Sequence, residues 1–227
     1  MKIPLSNRLL ACCDFIHSGD RVADVGCDHG YLGIYLLKNE IASSVIESDI
    51  NEMPLESAKA NAAKFGTLDK TTFFLSNGVQ NIPRDFDTLV CAGMGADTII
   101  SILENAPWLK EGAYRLILQC QSKRPELRKW LSDNGYRIHR ETLAKDGKFV
   151  YAIMEVVYAP GHPLTLAQTY LSPALLSSGH PLLEEYSSRV LGGLRTTVEG
   201  LRRSGGEGLA HFENILNQLE EMLHGNG

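Results

Sequence analysis

The 227-residue sequence predicts an α/β fold, a mostly parallel sheet flanked by helices, on three observations. Strand-like and helix-like segments alternate from residue 20 onward, as they do where crossover helices join parallel strands. Two strand-like runs, 136–143 and 149–158, are separated by Lys145-Asp146-Gly147-Lys148, an Asp-Gly hairpin signal that ends the sheet with an antiparallel pair. Prolines at 160, 163, 173 and 181 then break the pattern, which marks a boundary near Tyr158.

Each element has its own signal. Ser6 can cap a helix carrying Leu9, Leu10, Cys13 and Ile16 on one face, ended by His17-Ser18-Gly19-Asp20. Arg21 to Gly26 reads as a buried strand, Tyr31 to Lys38 as a helix, and Ser43 to Asp49 as a second strand. Pro54 suits the first turn of the next helix, which stops at Gly66. Thr71 to Ser76 is β-branched and aromatic and is followed by the turn pair Asn77-Gly78. Phe86 to Ala92 makes a fourth strand. Gly93-Met94-Gly95 leads into a helix with Ile99, Ile100, Leu103 and Ala106, and Tyr114 to Gln119 follows as a fifth strand. Pro125 opens a helix ending near Asn134-Gly135. Beyond the proline-rich linker, Leu183, Tyr186, Val190, Leu194 and Leu201 recur at helical spacing, and Leu209, Phe212, Ile215, Leu219 and Met222 do so after a glycine turn. These read as an antiparallel helical hairpin, coiled-coil-like, in which Gly192-Gly193 either weakens the first helix or admits a close neighbour.

A mixed seven-stranded sheet that finishes with an antiparallel hairpin is more typical of Rossmann-like class I methyltransferases than of nucleotide dehydrogenases. The chain therefore divides into a sheet domain, residues 1–158, and a helical hairpin, residues 159–227. With 44% hydrophobic and 22% charged residues and a net charge of -5, it is expected to be a globular protein. Five cysteines without a C-x-x-C pair read as reduced cytoplasmic thiols, and neither a signal peptide nor an 18-residue apolar span is expected. No metal site is expected. The acidic balance argues weakly against nucleic acid, but Lys110 to Lys148 holds ten Lys/Arg against five Asp/Glu. That surplus marks either an RNA-backbone surface or ordinary solvated helix faces.

The most informative run is Asp24-Val25-Gly26-Cys27-Asp28-His29-Gly30-Tyr31, which follows the first strand and opens a helix. A dinucleotide site would carry G-x-G-x-x-G here. Asp28 occupies the second glycine slot, and its carboxylate would repel a pyrophosphate yet attract the sulfonium and ammonium of S-adenosylmethionine. An NAD site and a turn with no ligand remain as alternatives. Asp49, 23 residues past Gly26, can accept two hydrogen bonds from ribose hydroxyls, with Ile50 beside it. Asn77-Gly78 follows the third strand, where an adenine amino group needs an acceptor, although Asn-Gly is also a common plain turn. Ala92-Gly93-Met94-Gly95 leaves room for a planar substrate, or serves only as a helix entry.

These motifs together resemble the TrmK family of bacterial tRNA (adenine-N1)-methyltransferases, which act on adenine 22. Leu5-Ser6-Asn7-Arg8-Leu9 resembles the family's L-S-x-R-L, and Asp24 to Leu32 its D-[IV]-G-x-D-H-[AG]-Y-L. Ala92-Gly93-Met94-Gly95 resembles A-G-M-G-G, Leu116-Ile117-Leu118-Gln119 resembles L-I-L-Q, and Asp146-Gly147-Lys148-Phe149 resembles D-G-K-[FY]. The chain departs from the pattern at Asn77, Ala96, Cys120 and Ala152. The resemblance implies S-adenosylmethionine as methyl donor and tRNA as partner. Asp24, Gly26, Cys27, Asp28, His29, Gly30, Tyr31, Asp49, Ile50, Asn77, Gly78, Ala92, Gly93 and Met94 would hold the donor. Asp28 either stabilises the methylated adenine as a catalytic carboxylate or only holds the donor's ammonium. Lys123, Arg124, Lys145 and Lys148 are candidates for RNA phosphates, Tyr31 and Phe149 for base stacking, and the helical hairpin for a tRNA clamp in a monomer or weak dimer. The alternatives are methylation of another RNA base, a small molecule or a protein, and a noncatalytic module that binds S-adenosylmethionine or tRNA.

Overall fold

A computed structural model of the chain describes residues 2–161 and 163–224, so positions 1, 162 and 225–227 of the two predicted segments lie outside it. Strands β1 (Asp20–Val25), β2 (Ala42–Asp49), β3 (Thr71–Leu75), β4 (Thr88–Met94) and β5 (Arg115–Cys120) run parallel. Strand β7 (Phe149–Tyr158) is antiparallel to β5 and to β6 (Tyr136–Asp146), giving the order β3-β2-β1-β4-β5-β7-β6. The central strands are buried on both faces, which is why β4 and β5 carry the unbroken apolar runs Leu89 to Cys91 and Leu116 to Leu118.

Alternate residues feed two cores. Ala23, Leu89, Leu116 and Leu118 face α4 (Ala96–Glu104) and α5 (Arg124–Asp133), whereas Val22, Val90 and Ile117 face α1 (Asn7–Cys13) and α2 (Tyr31–Lys38). Helix α3 (Glu52–Phe65) ends as its glycine suggests. Gly66 is left-handed at φ 69°, and the N–H groups of Gly66 and Thr67 return to the carbonyls of Ala63 and Ala62, a Schellman closure.

Three local expectations change. Asp146 pairs with Phe149, so the hairpin loop is Gly147-Lys148, one residue later than the Asp-Gly signal, with Gly147 at φ 58° taking the left-handed position. Strand β4 continues through Met94 by way of an irregularity between Ala92 and Met94. The proline-rich linker contains two short helices, α6 (Leu166–Tyr170) and α7 (Pro173–Leu176). Thr165 and Gln168 form a capping box on α6, and the Ser172 hydroxyl caps α7.

Helices α8 (Leu183–Ser204) and α9 (Leu209–His224) form the expected antiparallel hairpin, clipped by Arg195–Glu220 at 2.7 Å and Arg202–Glu213 at 2.6 Å. Open space surrounds Gly192 and Gly193, so neither receives a close neighbour among the described residues. Leu143, Val150 and Ala152 of the β6–β7 hairpin share one buried cluster with Leu171, Leu175, Tyr186, Leu194, Ile215 and Leu219. The helices thereby flank the sheet at its last two strands. No helix among the described residues is long and apolar enough to cross a membrane.

Candidate active site

Strand order reverses between β1 and β4, and a crevice opens there at the carboxyl ends of the strands. The loop after β1 turns sharply, with Gly26, Asp28 and Gly30 at φ 73°, 52° and 68°. Ser48 O on β2 accepts the N–H groups of Gly26 and Cys27 at 2.8 and 3.1 Å, and Cys27 O accepts that of Gly30 at 2.8 Å. Left-handed backbone is sparsely populated outside glycine and asparagine-like residues, and such strain gathers at functional sites. Asp28 carries it with an exposed side chain at the crevice mouth. A Cβ on Gly26 would stand 2.4 Å from Met94 Cε, so the glycine lets the end of β4 close on the loop.

A cavity of about 400 Å³ lies here, within the range of small-molecule sites. Asp24, Gly26, Cys27, Asp28, His29 and Tyr31 line it from β1 and the following loop, Ala92 and Gly93 from β4, and Ser6 and Arg8 from the N-terminal segment. Gly30 caps α2 instead, and Met94 packs behind Gly26. Asp49, Ile50, Asn77 and Gly78 do not line the cavity; they lie at and after the carboxyl ends of β2 and β3. The Asp49 carboxylate accepts the Asn51 N–H at 2.9 Å, and its carbonyl accepts the Ser76 N–H at 2.9 Å, which joins the ends of β2 and β3. Ile50 is 62% exposed, an apolar surface next to that carboxylate. His29 stands 3.6 Å from Asp28 and 5.9 Å from the Tyr31 ring, and its carbonyl accepts from the Asn61 amide at 3.0 Å.

Sequence reasoning passed over three residues. Glu47 sits opposite Asp24 in the β1–β2 register, both buried, and like carboxylates on neighbouring strands repel. Burial, then the nearby Asp49 carboxylate, raises Asp24, and burial, then Asp24, raises Glu47. A Cβ on Gly33 would lie 2.0 Å from Glu47 Oε1, so α2 needs a glycine there. The available signal was a Glu directly after the apolar pair Val45-Ile46, before the strand ends. Arg8 and Gln119 are the other two. Gln119 Oε1 accepts from Arg8 Nη1 at 2.9 Å and from the Gly93 N–H at 3.0 Å, contacts no local pattern reveals. Burial also pushes the Cys27 thiol well up, which keeps it protonated and poorly nucleophilic.

The basic stretch is less free than its charge count implies. Arg115, Lys123, Arg128, Lys129, Arg140 and Lys145 are in ion pairs, four of them with acids outside Lys110 to Lys148: Asp20, Asp97, Glu155 and Glu185. Among the proposed phosphate contacts, Lys123 is 2.6 Å from Asp97 and Lys145 is 2.8 Å from Glu185. Arg124 instead lies over the Tyr186 ring and Lys148 over Phe149. A groove of about 560 Å³ is lined by Gln121, Arg124, Phe149, Tyr151 and Arg189, and Arg189 donates to the Lys148 carbonyl at 2.8 Å.

The methyltransferase-domain family profile matches residues 5–154, the span that builds this crevice. A Mycoplasma genitalium protein provisionally assigned as a tRNA methyltransferase is 36% identical over 173 residues, 73% of this chain and 76% of that one. The tRNA (adenine(22)-N(1))-methyltransferase of Bacillus subtilis is 34% identical over 149 residues, 65% of this chain and 63% of that one. A Streptococcus pneumoniae protein provisionally assigned as a tRNA (m1A22) methyltransferase has been solved with S-adenosyl-L-methionine. It superposes with a TM-score of 0.82 at 26% identity, covering 95% of this chain and 99% of that one. Together with the motif-bearing loops at the β1–β4 crevice, these likenesses show that the chain belongs to the TrmK family of methyltransferases.

Proposed function

We propose that the chain transfers a methyl group from S-adenosylmethionine to N1 of a tRNA adenine, adenine 22. The observation that carries this reading is the cavity itself. Its carboxylates fit a cationic donor, and the end of the neighbouring strand β2 carries Asp49 and the exposed apolar Ile50, as a ribose and an adenine require. Asp49 accepts the ribose hydroxyls, Ile50 covers a face of the donor's adenine, and Asn77 with Gly78 borders its amino group. Gly26, Cys27, His29, Gly30 and Tyr31 shape the loop around the methionine portion, and Ala92, Gly93 and Met94 leave space for the incoming base.

S-adenosylmethionine supplies, when bound, a sulfonium methyl that an in-plane nitrogen lone pair can accept without a strong base. Placement then matters more than proton removal. Asp28, exposed at the crevice mouth, faces the amino group of the target adenine, steadies the positive charge left on the ring and takes its proton. The target N1 lies on a paired edge, so the base must leave its stack. The groove beside Phe149 and Tyr151 offers it a stacking surface. We assign residues 1–158 to donor binding and chemistry and 159–227 to holding the tRNA, work done in the cytoplasm.

The buried carboxylates make donor binding depend on pH. Because Asp24 and Glu47 are raised, the donor-free folded protein keeps protons that the unfolded chain has released. Its stability therefore falls as pH rises from the usual carboxylate range towards their raised values. A bound ammonium favours the ionised form, so donor affinity should rise across the same window. Calorimetry giving a flat profile there would remove Asp24, and Glu47 behind it, from any influence on the ammonium.

RNA binding should depend more on Arg124 than on Lys123. Arg124→Glu is expected to weaken tRNA binding and reduce the slope of log affinity against log salt by about 1, whereas Lys123 must first leave Asp97. Equal losses in the two variants would contradict this assignment. The function itself is tested by incubating the protein with labelled donor and total RNA. Label should enter the tRNA fraction, and label confined to protein or small molecules would overturn the proposal.

A further inference from the structure

One wall of the donor cavity is cationic and lacks an acceptor. Arg8 is half-buried, lines the same cavity as Asp24 and Asp28, and has no carboxylate within ion-pair distance among the described residues. Its one side-chain hydrogen bond goes to Gln119 Oε1 at 2.9 Å. That oxygen also accepts the Gly93 N–H at 3.0 Å, which fixes the orientation of the amide. Gln119 Nε2 is then left as a buried donor without a partner, and so is the hydroxyl of Ser6, another cavity-lining residue. A Cβ at Gly93, whose φ is 84°, would stand 3.2 Å from Arg8 Nη1, so this approach requires the glycine.

Buried donors without acceptors are destabilising, so Ser6 at the cavity and Gln119 behind Arg8 show that this region lacks an acceptor. A guanidinium with unused N–H groups pairs best with a planar carboxylate, which it can grip with two parallel bonds. The same cavity presents the Asp24 carboxylate, which suits an ammonium. A guanidinium and a carboxylate lining one cavity match an α-amino-acid zwitterion. We infer that Arg8 binds the α-carboxylate of the donor's methionine portion, so the protein recognises the amino-acid end of S-adenosylmethionine by both its charges. The inference rests on the donor reading above and adds a residue to it.

The test compares S-adenosylmethionine with its decarboxylated analogue, which keeps the sulfonium, ammonium and adenosine but has no carboxylate. Calorimetry on the full chain should show that the unsubstituted protein prefers S-adenosylmethionine. R8Q should weaken S-adenosylmethionine binding at least about tenfold, the loss of one charge-assisted hydrogen bond, and leave the analogue within about twofold. R8K, which keeps the charge but loses the planar fork, should fall between them. Its thermal unfolding, alongside that of R8Q, verifies that both variants fold. Equal weakening of the two ligands would overturn the inference and reduce Arg8 to support for Gly93 and Gln119. Unchanged donor affinity with weakened tRNA binding would overturn it in favour of a phosphate contact. If the unsubstituted protein bound the two ligands equally well, no group would read the carboxylate and the inference would fail while the donor site stood. Failure to bind either would remove the donor site as well.

Discussion

Replacing Arg128 with alanine should lower the stability of the protein by about 3–5 kcal/mol, because it leaves a buried carboxylate without its cation. The side chains of Arg128 and Glu141 are both fully buried and paired with each other. Arg128 Nη1 also donates to the carbonyls of Thr169 at 3.0 Å and Tyr170 at 3.2 Å. The second Glu141 oxygen accepts the Ser172 hydroxyl, which in turn accepts the Leu175 N–H at 3.0 Å and starts α7. One ion pair therefore ties α5 and β6 to the segment after the sheet. Denaturant unfolding measures the effect, and Arg128→Met combined with Glu141→Leu should recover most of it, since apolar replacement of both partners removes the unpaired charge. A loss under about 1 kcal/mol in the single variant would show that the pair is not isolated from solvent. Chains ending at residue 158 should be destabilised for the same reason, having lost both carbonyl acceptors and Ser172.

Asp28→Asn should reduce kcat about 100-fold while changing donor affinity far less, the pattern of a group that acts on the reacting base rather than on the donor. Asparagine tolerates the left-handed backbone at φ 52° and keeps the size of the side chain, so the loop should retain its shape. Only the charge is lost. Single-turnover methyl transfer and donor calorimetry on one preparation separate the two effects. Parallel losses in rate and affinity would place Asp28 with the donor's ammonium and leave the adenine without a carboxylate.

The sheet was legible because its central strands are buried on both faces, so each appears as a short apolar run between turn signals. Gly66 and Pro125 announced helix boundaries through backbone chemistry that needs no tertiary context. Helices α6 and α7 carried equally local signals: Thr165 and Gln168 are spaced as a capping box, and Ser172-Pro173 is a cap followed by proline in the first turn. The surrounding prolines masked them, since the same residue breaks one helix and starts another. In the active site, the loop from Asp24 to Tyr31 could be read because its glycines and acids are contiguous. Glu47 could not, since only the β1–β2 register sets it against Asp24. Arg8 and Gln119, 111 positions apart, meet only when α1 folds over the ends of β4 and β5. Charge counting between Lys110 and Lys148 overstates the free charge for a related reason, because Asp20, Asp97, Glu155 and Glu185 pair with Arg115, Lys123, Arg140 and Lys145 from distant parts of the chain.

The central claim concerns the atom that receives the methyl group. An unmodified tRNA transcript should be incubated with the full chain and S-adenosylmethionine, digested to nucleosides and compared with a transcript in which adenine 22 is replaced by guanine. The account predicts 1-methyladenosine from the first transcript and none from the second. Methylation of another base, of an adenine other than that at position 22, or of neither transcript would contradict it.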